Sequence, residues 1–193
     1  RSFHVTGVQT CALPILDAVN DAPEANDATV DTDEDTAIIN GTLPSYTDVE
    51  GDAVTYSKAT DPANGSVIIH DDGTYTYTPE ANFNGTDSFN YTVDDGNGGT
   101  NTYTITVNVA AVNDPPELTG DQATLLSGTE DNTYIVSAVD LLQGYTDADL
   151  GDTLTVLNLS AGPDFTVHDN EDGTYTITAP DNYNGSEIGR AHV

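Results

Sequence analysis

The stretch Asn82-Phe83-Asn84-Gly85-Thr86-Asp87-Ser88-Phe89-Asn90-Tyr91-Thr92-Val93-Asp94-Asp95-Gly96 opens on one turn dipeptide, closes on another and alternates in between. Phe89, Tyr91 and Val93 fall on one parity, Ser88, Asn90 and Thr92 on the other. Successive side chains of an extended chain point to opposite faces, so this reads as a strand with one face in a core and one in water. The next run repeats the pattern, with Tyr103, Ile105, Val107 and Val109 set against Thr and Asn. Upstream, short runs rich in Val, Ile, Thr and Tyr lie between Asn-Gly, Asp-Gly and Pro punctuation, which predicts further strands. Strands are expected at 28–32, 36–40, 53–58, 65–69, 74–78, 86–93 and 101–109. No segment carries a helical apolar period, so the fold class is all-β.

Seven short antiparallel strands in one such span fit a two-sheet sandwich of the immunoglobulin kind, without that fold's tryptophan or disulfide. The span is repeated. Asn20-Asp21-Ala22-Pro23-Glu24 returns as Asn113-Asp114-Pro115-Pro116-Glu117 at an offset of 93. Asp72-Gly73-Thr74-Tyr75-Thr76 returns as Asp172-Gly173-Thr174-Tyr175-Thr176, and Phe83-Asn84-Gly85 as Tyr183-Asn184-Gly185, both at an offset of 100. A period of this length is a tandem domain, far longer than a solenoid unit.

The 193 residues hold 33 Asp and Glu against 3 Lys and Arg, a formal net charge of -30. Nucleic acids and anionic membranes are bound through Lys and Arg, so neither is an expected partner. Apolar residues come in short alternating runs, and no membrane insertion is expected.

Both ends stand apart from the repeats. From Val5 to Ile15 the sequence back-translates codon by codon onto one strand of a common short-read sequencing adapter. The closing Glu187-Ile188-Gly189-Arg190-Ala191-His192-Val193 fits the other strand of the same adapter. Residues 1–15 and 187–193 are therefore expected to be adapter-derived tails that pack against nothing specific. Cys11, Arg1 and Arg190 lie in them, so the interior keeps one basic residue, Lys58, and 32 acids (33 less Glu187). Without Cys it has no disulfide, no thiolate nucleophile and no soft metal site.

Thr32-Asp33-Glu34-Asp35-Thr36, the turn Thr47-Asp48-Val49-Glu50-Gly51-Asp52, the 82–96 stretch and the linker Val112-Asn113-Asp114-Pro115-Pro116 jointly resemble the bacterial cadherin-like tandem repeats of large extracellular adhesins, which are type I secreted repeat proteins. The resemblance covers residues 16–186. It implies tandem Ig-like, cadherin-like β-sandwiches: a linker from a preceding repeat at 16–24, a complete repeat at 25–112, an inter-repeat linker at 113–117, and a second repeat at 118–186 that lacks its last two strands. It further implies a non-catalytic extracellular spacer, secreted or at the surface of a bacterium. Its partners would be neighbouring repeats of the same chain, with cell-surface or matrix glycans as a further class. The match to animal cadherins is looser, because the linker reads Val-Asn-Asp-Pro and the cadherin Asp-Arg-Glu motif has no counterpart. The rival reading is a carbohydrate-binding accessory module of a secreted polysaccharide-degrading enzyme, with Tyr75, Tyr77 and Tyr175 as a sugar-stacking strip.

Calcium takes about six to eight oxygens, so several carboxylates must converge from separate loops. The repeats supply them where strands end. One expected site, at the junction, draws on Glu34, Asp35, Asp87, Asn113, Asp114, Asp147 and Asp149. A weaker one, at the upper end of the first repeat, draws on Asn20, Asp21, Asp48 and Glu50 with Asp95 nearby. The competing account is that these acids are solvated turn residues, since Asp and Asn cap and turn chains without any metal. An EF-hand loop from Asp31 fails, having Thr36 where Gly is required and Thr42 where Glu is required. Catalysis has little support: among so many acids some pair meets any glycosidase spacing by accident. His70 and His168, each just before an Asp-Gly turn, read as exposed turn residues, and the Asn-Gly-Thr/Ser sequons at Asn40, Asn64, Asn84 and Asn184 read as hairpin turns.

Overall fold

The computed structural model describes residues 19–185 and the backbone of 190–192. The expectation that 1–15 is an unpacked tail lies outside the described residues. The chain divides after Ala111 into two compact units.

The first unit forms all seven expected strands: β1 (Ala28–Asp33), β2 (Ile38–Thr42), β3 (Thr55–Thr60), β4 (Gly65–Ile69), β5 (Thr74–Pro79), β6 (Gly85–Asp94) and β7 (Thr100–Ala110). They make two sheets, ordered β1-β7-β6-β3 and β2-β5-β4. One pairing departs from the antiparallel expectation. β1 runs parallel to β7, from Ala28 opposite Ile105 to Asp33 opposite Ala110, so the first strand closes the sheet that the last strand opens.

The alternation read from the sequence is the alternation of burial. Phe89, Tyr91, Val93, Ile105, Val107 and Val109 from one sheet meet Val67, Tyr75 and Tyr77 from the other, and all are buried. The Phe89 ring lies 5.5 Å from Tyr75 and 6.3 Å from Tyr77, which joins the sheets through their centres. Tyr75 and Tyr77 are at most 2 % exposed, so the sugar-stacking strip is corrected: these rings are core, as the packing of alternate strand positions dictates. The Asn-Gly reading needs correction too. Asn40-Gly41 sits inside β2 at a register shift, with Asn40 at φ 56, and Gly65 and Gly85 begin strands. A sandwich sends most connections from one sheet to the other, so its turn dipeptides mark bulges and sheet changes more often than hairpins.

The second unit contains β8 (Glu117–Leu118), β9 (Tyr134–Ser137), the short helix α1 (Ala138–Leu142), β10 (Tyr145–Thr146), β11 (Leu157–Ser160), β12 (Thr166–Asp169), β13 (Thr174–Thr178) and β14 (Arg190–His192). The sheet β12-β13-β9 repeats β4-β5-β2. β14 pairs with β11, so the expectation that 187–193 packs against nothing is corrected for the backbone of residues 190–192, whose polar groups find partners there. The helix was not expected. Ser137 caps it by accepting from the Asp140 N–H at 3.1 Å, a local interaction too short-range to leave an apolar period.

Among the described residues the second unit has no counterpart of β7, and the consequence reaches its first strand. Residues 123–128, matching β1 in order, form no strand, and Leu125 and Leu126 are exposed. β1 pairs only with β7, so without that partner its equivalent has nothing to hydrogen-bond. Val136 and Val156 are buried, whereas Leu154, Tyr175 and Ile177 are half-buried and Ile135 is exposed. Amide exchange should show the contrast. β5, β6 and β7 should exchange at the global stability of the first unit and β11–β13 at least about tenfold faster; equal protection would contradict this account.

Candidate metal centre

The acids gather where linker, turn and hairpin loop meet at one end of the first unit. The linker is held by a two-way bridge, Glu24 N–H to Thr47 O at 2.8 Å and Thr47 N–H to Glu24 O at 2.7 Å. This places Asn20 and Asp21 beside the Asp48–Asp52 turn. The Asp21 N–H donates to Glu50 Oε2 at 3.2 Å, and the Asp52 N–H to Asp48 Oδ1 at 2.8 Å. Asp95 joins from the β6–β7 loop. Its oxygens accept from Asn20 Nδ2 at 2.8 Å, the Asn97 N–H at 2.7 Å and the Gly99 N–H at 3.0 Å. The Asn20 hydrogen bond leads these in holding the Asp95 carboxyl below its usual range against the opposing effect of burial. Gly99 is required by close approach, since a Cβ there would lie 2.7 Å from Ala22 Cα. All five residues of the upper site thus come together at this end. Asp48 buries its second oxygen, Oδ2, without a hydrogen-bond partner among the described residues.

The second unit repeats the linker bridge and the linker-to-turn hydrogen bond of this arrangement, while the turn itself is bonded differently, with the Asp152 N–H donating to Asp149 O at 3.3 Å. β8 pairs with β10 through Glu117 opposite Thr146, the counterpart of the Glu24–Thr47 bridge. The Asp114 N–H donates to Asp149 Oδ2 at 2.7 Å, as Asp21 does to Glu50, and the Asp149 N–H donates to Asp147 Oδ1 at 3.0 Å. Carboxylate oxygens of Asp147, Asp149 and Asp152 come within 4.8 Å of one another. Asp152 and its counterpart Asp52 were missed as candidates, although both stand in the repeated turn. Asn113 Nδ2 turns back to Asp114 O at 2.9 Å.

At the other end of the first unit Glu34 and Asp35 serve the chain itself. The Glu34 N–H donates to Ala110 O at 2.9 Å, which sets it where β7 leads into the linker. Its Oε2 accepts from Asn84 Nδ2 at 3.2 Å, and Asp35 Oδ1 accepts from the Asn82 N–H at 3.1 Å. The second unit matches this also, with Asp131 Oδ1 accepting from the Asn182 N–H at 2.9 Å. Asp87 is 4 % exposed and lies inside the sandwich. Oδ1 accepts from the N–H groups of Ala63 at 3.0 Å and Ser88 at 2.8 Å, and Oδ2 from the Asn64 N–H at 3.0 Å and the Tyr77 hydroxyl at 2.9 Å. Burial pushes its pKa up, and the hydrogen bonds from Ser88, Ala63, Asn64 and Tyr77 outweigh that and carry it below the usual value. His70 and His168 are both exposed, His70 at the turn after β4 as expected and His168 within β12, opposite Thr176.

Residues 20–111 match a family model described as bacterial cadherin-like domain, and residues 112–188 one described as cadherin-like domain. The chain belongs to the bacterial cadherin-like repeats. Domains of this kind are typically non-catalytic and commonly stand beside neighbouring repeats. They suggest an extracellular or surface location, and no helix among the described residues is long and apolar enough to cross a membrane. Among solved structures, this cadherin-like chain is similar to the protocadherin gamma B7 extracellular cadherin domains 1–4, at 14% identity over 88% of this chain and 48% of that one, with a TM-score of 0.44. It is also similar to the endo-fucoidan hydrolase MfFcnA4 of glycoside hydrolase family 107, at 21% identity over 84% of this chain and 25% of that one, with a TM-score of 0.40. A third is the human mucin-like protocadherin EC1-2, at 23% identity over 49% of this chain and 56% of that one, with a TM-score of 0.37. The chain thus spans between a quarter and about half of the length of these structures. A search of the curated proteins gave no match.

Proposed function

We propose that the chain is part of the stalk of a large extracellular bacterial adhesin, a non-catalytic spacer whose repeats are stiffened by calcium. The observation that carries the calcium reading is Asp48 Oδ2, buried without a hydrogen-bond partner in an acid-lined turn. A buried carboxylate oxygen is costly unless something satisfies it, and a hard divalent cation does so. Glu50 and Asp95 lie at the same end, tied to the linker through the Asp21 N–H and Asn20 Nδ2, and would supply further oxygens together with the Asp21 carboxylate. The corresponding site of the second unit draws on Asn113, Asp114, Asp147 and Asp149, with Asp152 added. Asp87 is set aside as a ligand because four protein donors already occupy its oxygens.

With 33 acids against 3 bases, self-repulsion opposes the compact state, and an ion among carboxylates converts repulsion into coordination. At a calcium concentration about ten times the dissociation constant one site adds roughly RT ln 11, about 1.4 kcal/mol. Calorimetry with calcium or chelator should therefore show a higher Tm with calcium, and small-angle scattering a larger maximum dimension, with magnesium as the ionic-strength control. Asp48→Asn should abolish the gain of the first unit, and Asp147→Asn with Asp149→Asn that of the second. No response of either quantity to millimolar calcium would make these acids solvated turn residues.

A further inference from the structure

In the first unit the dipeptide Asn-Gly occurs at Asn40, Asn64, Asn84 and Asn97. It is chemically labile, because glycine has no side chain to shield its own nitrogen from the preceding carboxamide. The fold decides whether it reacts, since the chain must bend until that nitrogen meets the carboxamide carbon. Three of the four glycines are built into strands. Gly41 lies in β2, where a Cβ would run into the Tyr75 ring, and Gly65 opens β4, where a Cβ would lie 2.6 Å from Thr78 O. Gly85 opens β6 opposite Val109.

Asn97 and Gly98 stand apart. Both are exposed in the irregular β6–β7 loop, and nothing comes within 4 Å of the Cβ position at Gly96 or Gly98. Asp95 bends this loop by accepting from the Asn97 N–H at 2.7 Å and the Gly99 N–H at 3.0 Å, and it faces the Gly98 N–H as well. An acceptor thus stands at the nitrogen that must lose its proton. The Asn97 side chain donates from Nδ2 to Asp52 Oδ2 at 2.7 Å, an exposed hydrogen bond that ties the tip of the β6–β7 hairpin to the Asp48–Asp52 turn.

We propose that Asn97 is a site of spontaneous deamidation, which unties the hairpin tip from that turn. The Gly98 nitrogen attacks Asn97 Cγ and forms a new C–N bond. The Cγ–Nδ2 bond breaks, and Nδ2 leaves as ammonia with the proton given up by Gly98. Water then opens the cyclic imide at either carbonyl, giving aspartate or isoaspartate, and nothing is oxidised or reduced. Where an amide donated to Asp52, a carboxylate now faces a carboxylate. Like charges at contact distance repel, so the tie becomes a repulsion.

Two experiments on the full chain test this. In the first, the folded chain is incubated at neutral pH and followed by peptide mass mapping, which reads the exchange of NH2 for OH at each asparagine. Conversion at Asn97 should outrun that at Asn40, Asn64 and Asn84 by at least about tenfold, because those three react only when their strands open. In urea, with the fold lost, the four should convert at similar rates. Equal rates in the folded chain, a lead of Asn97 that persists undiminished in urea, or an Asn97 that reacts only in urea would overturn the proposal. In the second, Asn97→Asp supplies the product directly. The Gly99 amide should exchange several-fold faster than in the unmodified chain, and added salt should shrink the difference, since exposed charges are screened. Asn97→Ser, which drops the tie without adding a charge, should show no such salt dependence. Exchange unchanged by Asn97→Asp, or equally salt-dependent in both variants, would overturn the untying.

Discussion

Phe89→Ala is expected to lower the stability of the first unit by about 3–5 kcal/mol, enough to unfold a marginal domain at moderate temperature. The ring is 1 % exposed, stands opposite Ile105 across the β6–β7 ladder, and contacts Tyr75 and Tyr77 of the facing sheet. Truncation loses the transfer free energy of the ring and leaves a cavity that two tyrosines cannot fill, because both are fixed in their own strand. For a unit of this size the Tm should fall by roughly 15–30 °C. Phe89→Leu, which keeps most of the volume, should cost about 1–1.5 kcal/mol. A loss below about 1 kcal/mol for the alanine variant, measured by calorimetry, would show that the sheets are not joined through this ring.

Removing the Asp87 carboxylate is expected to be nearly as damaging, at about 3–4 kcal/mol for Asp87→Ala. Three backbone N–H groups and the Tyr77 hydroxyl converge on its two oxygens, and Tyr77 is fully buried. Without the acceptor these donors are left unsatisfied inside the sandwich. Asp87→Asn keeps the shape but brings an amide NH2 against donors, so it should also destabilise, by less. The pH dependence has a definite sign. The folded-state pKa of Asp87 lies below the ordinary 3.8, so its contribution is present in full above that value and is lost as pH falls through the folded pKa. The stability difference between the chain and Asp87→Asn should therefore shrink below about pH 4. A difference independent of pH from 7 to 2 would mean that the charged form is not what the donors hold. Burial, followed by the hydrogen bond to Asp87 and its charge, raises the Tyr77 pKa. Its contribution is therefore complete below the unfolded value of 10.0 and is lost only in strong alkali.

Local chemistry was legible in the sequence. Period-two alternation in 86–93 and 101–109 fixes which side chains face inward, because a strand leaves no other choice of face, and burial follows it from Phe89 to Val109. The same rule carried one step further would have placed Asp87 inside, since it shares the parity of Phe89. The matching acids of the two turns were legible as a repeat, because each turn depends on contacts a few residues apart, such as Asp52 to Asp48. What the tertiary structure alone decided is long-range. The parallel pairing of β1 with β7 joins residues 77 apart, and nothing in either strand announces its neighbour. Of the four donors on Asp87, Ser88 is its neighbour in β6, but the other three come from the β3–β4 loop and from β5 of the facing sheet. The pairing of β14 with β11 is made by backbone groups, and a ladder of that kind reads geometry where a sequence motif reads side chains.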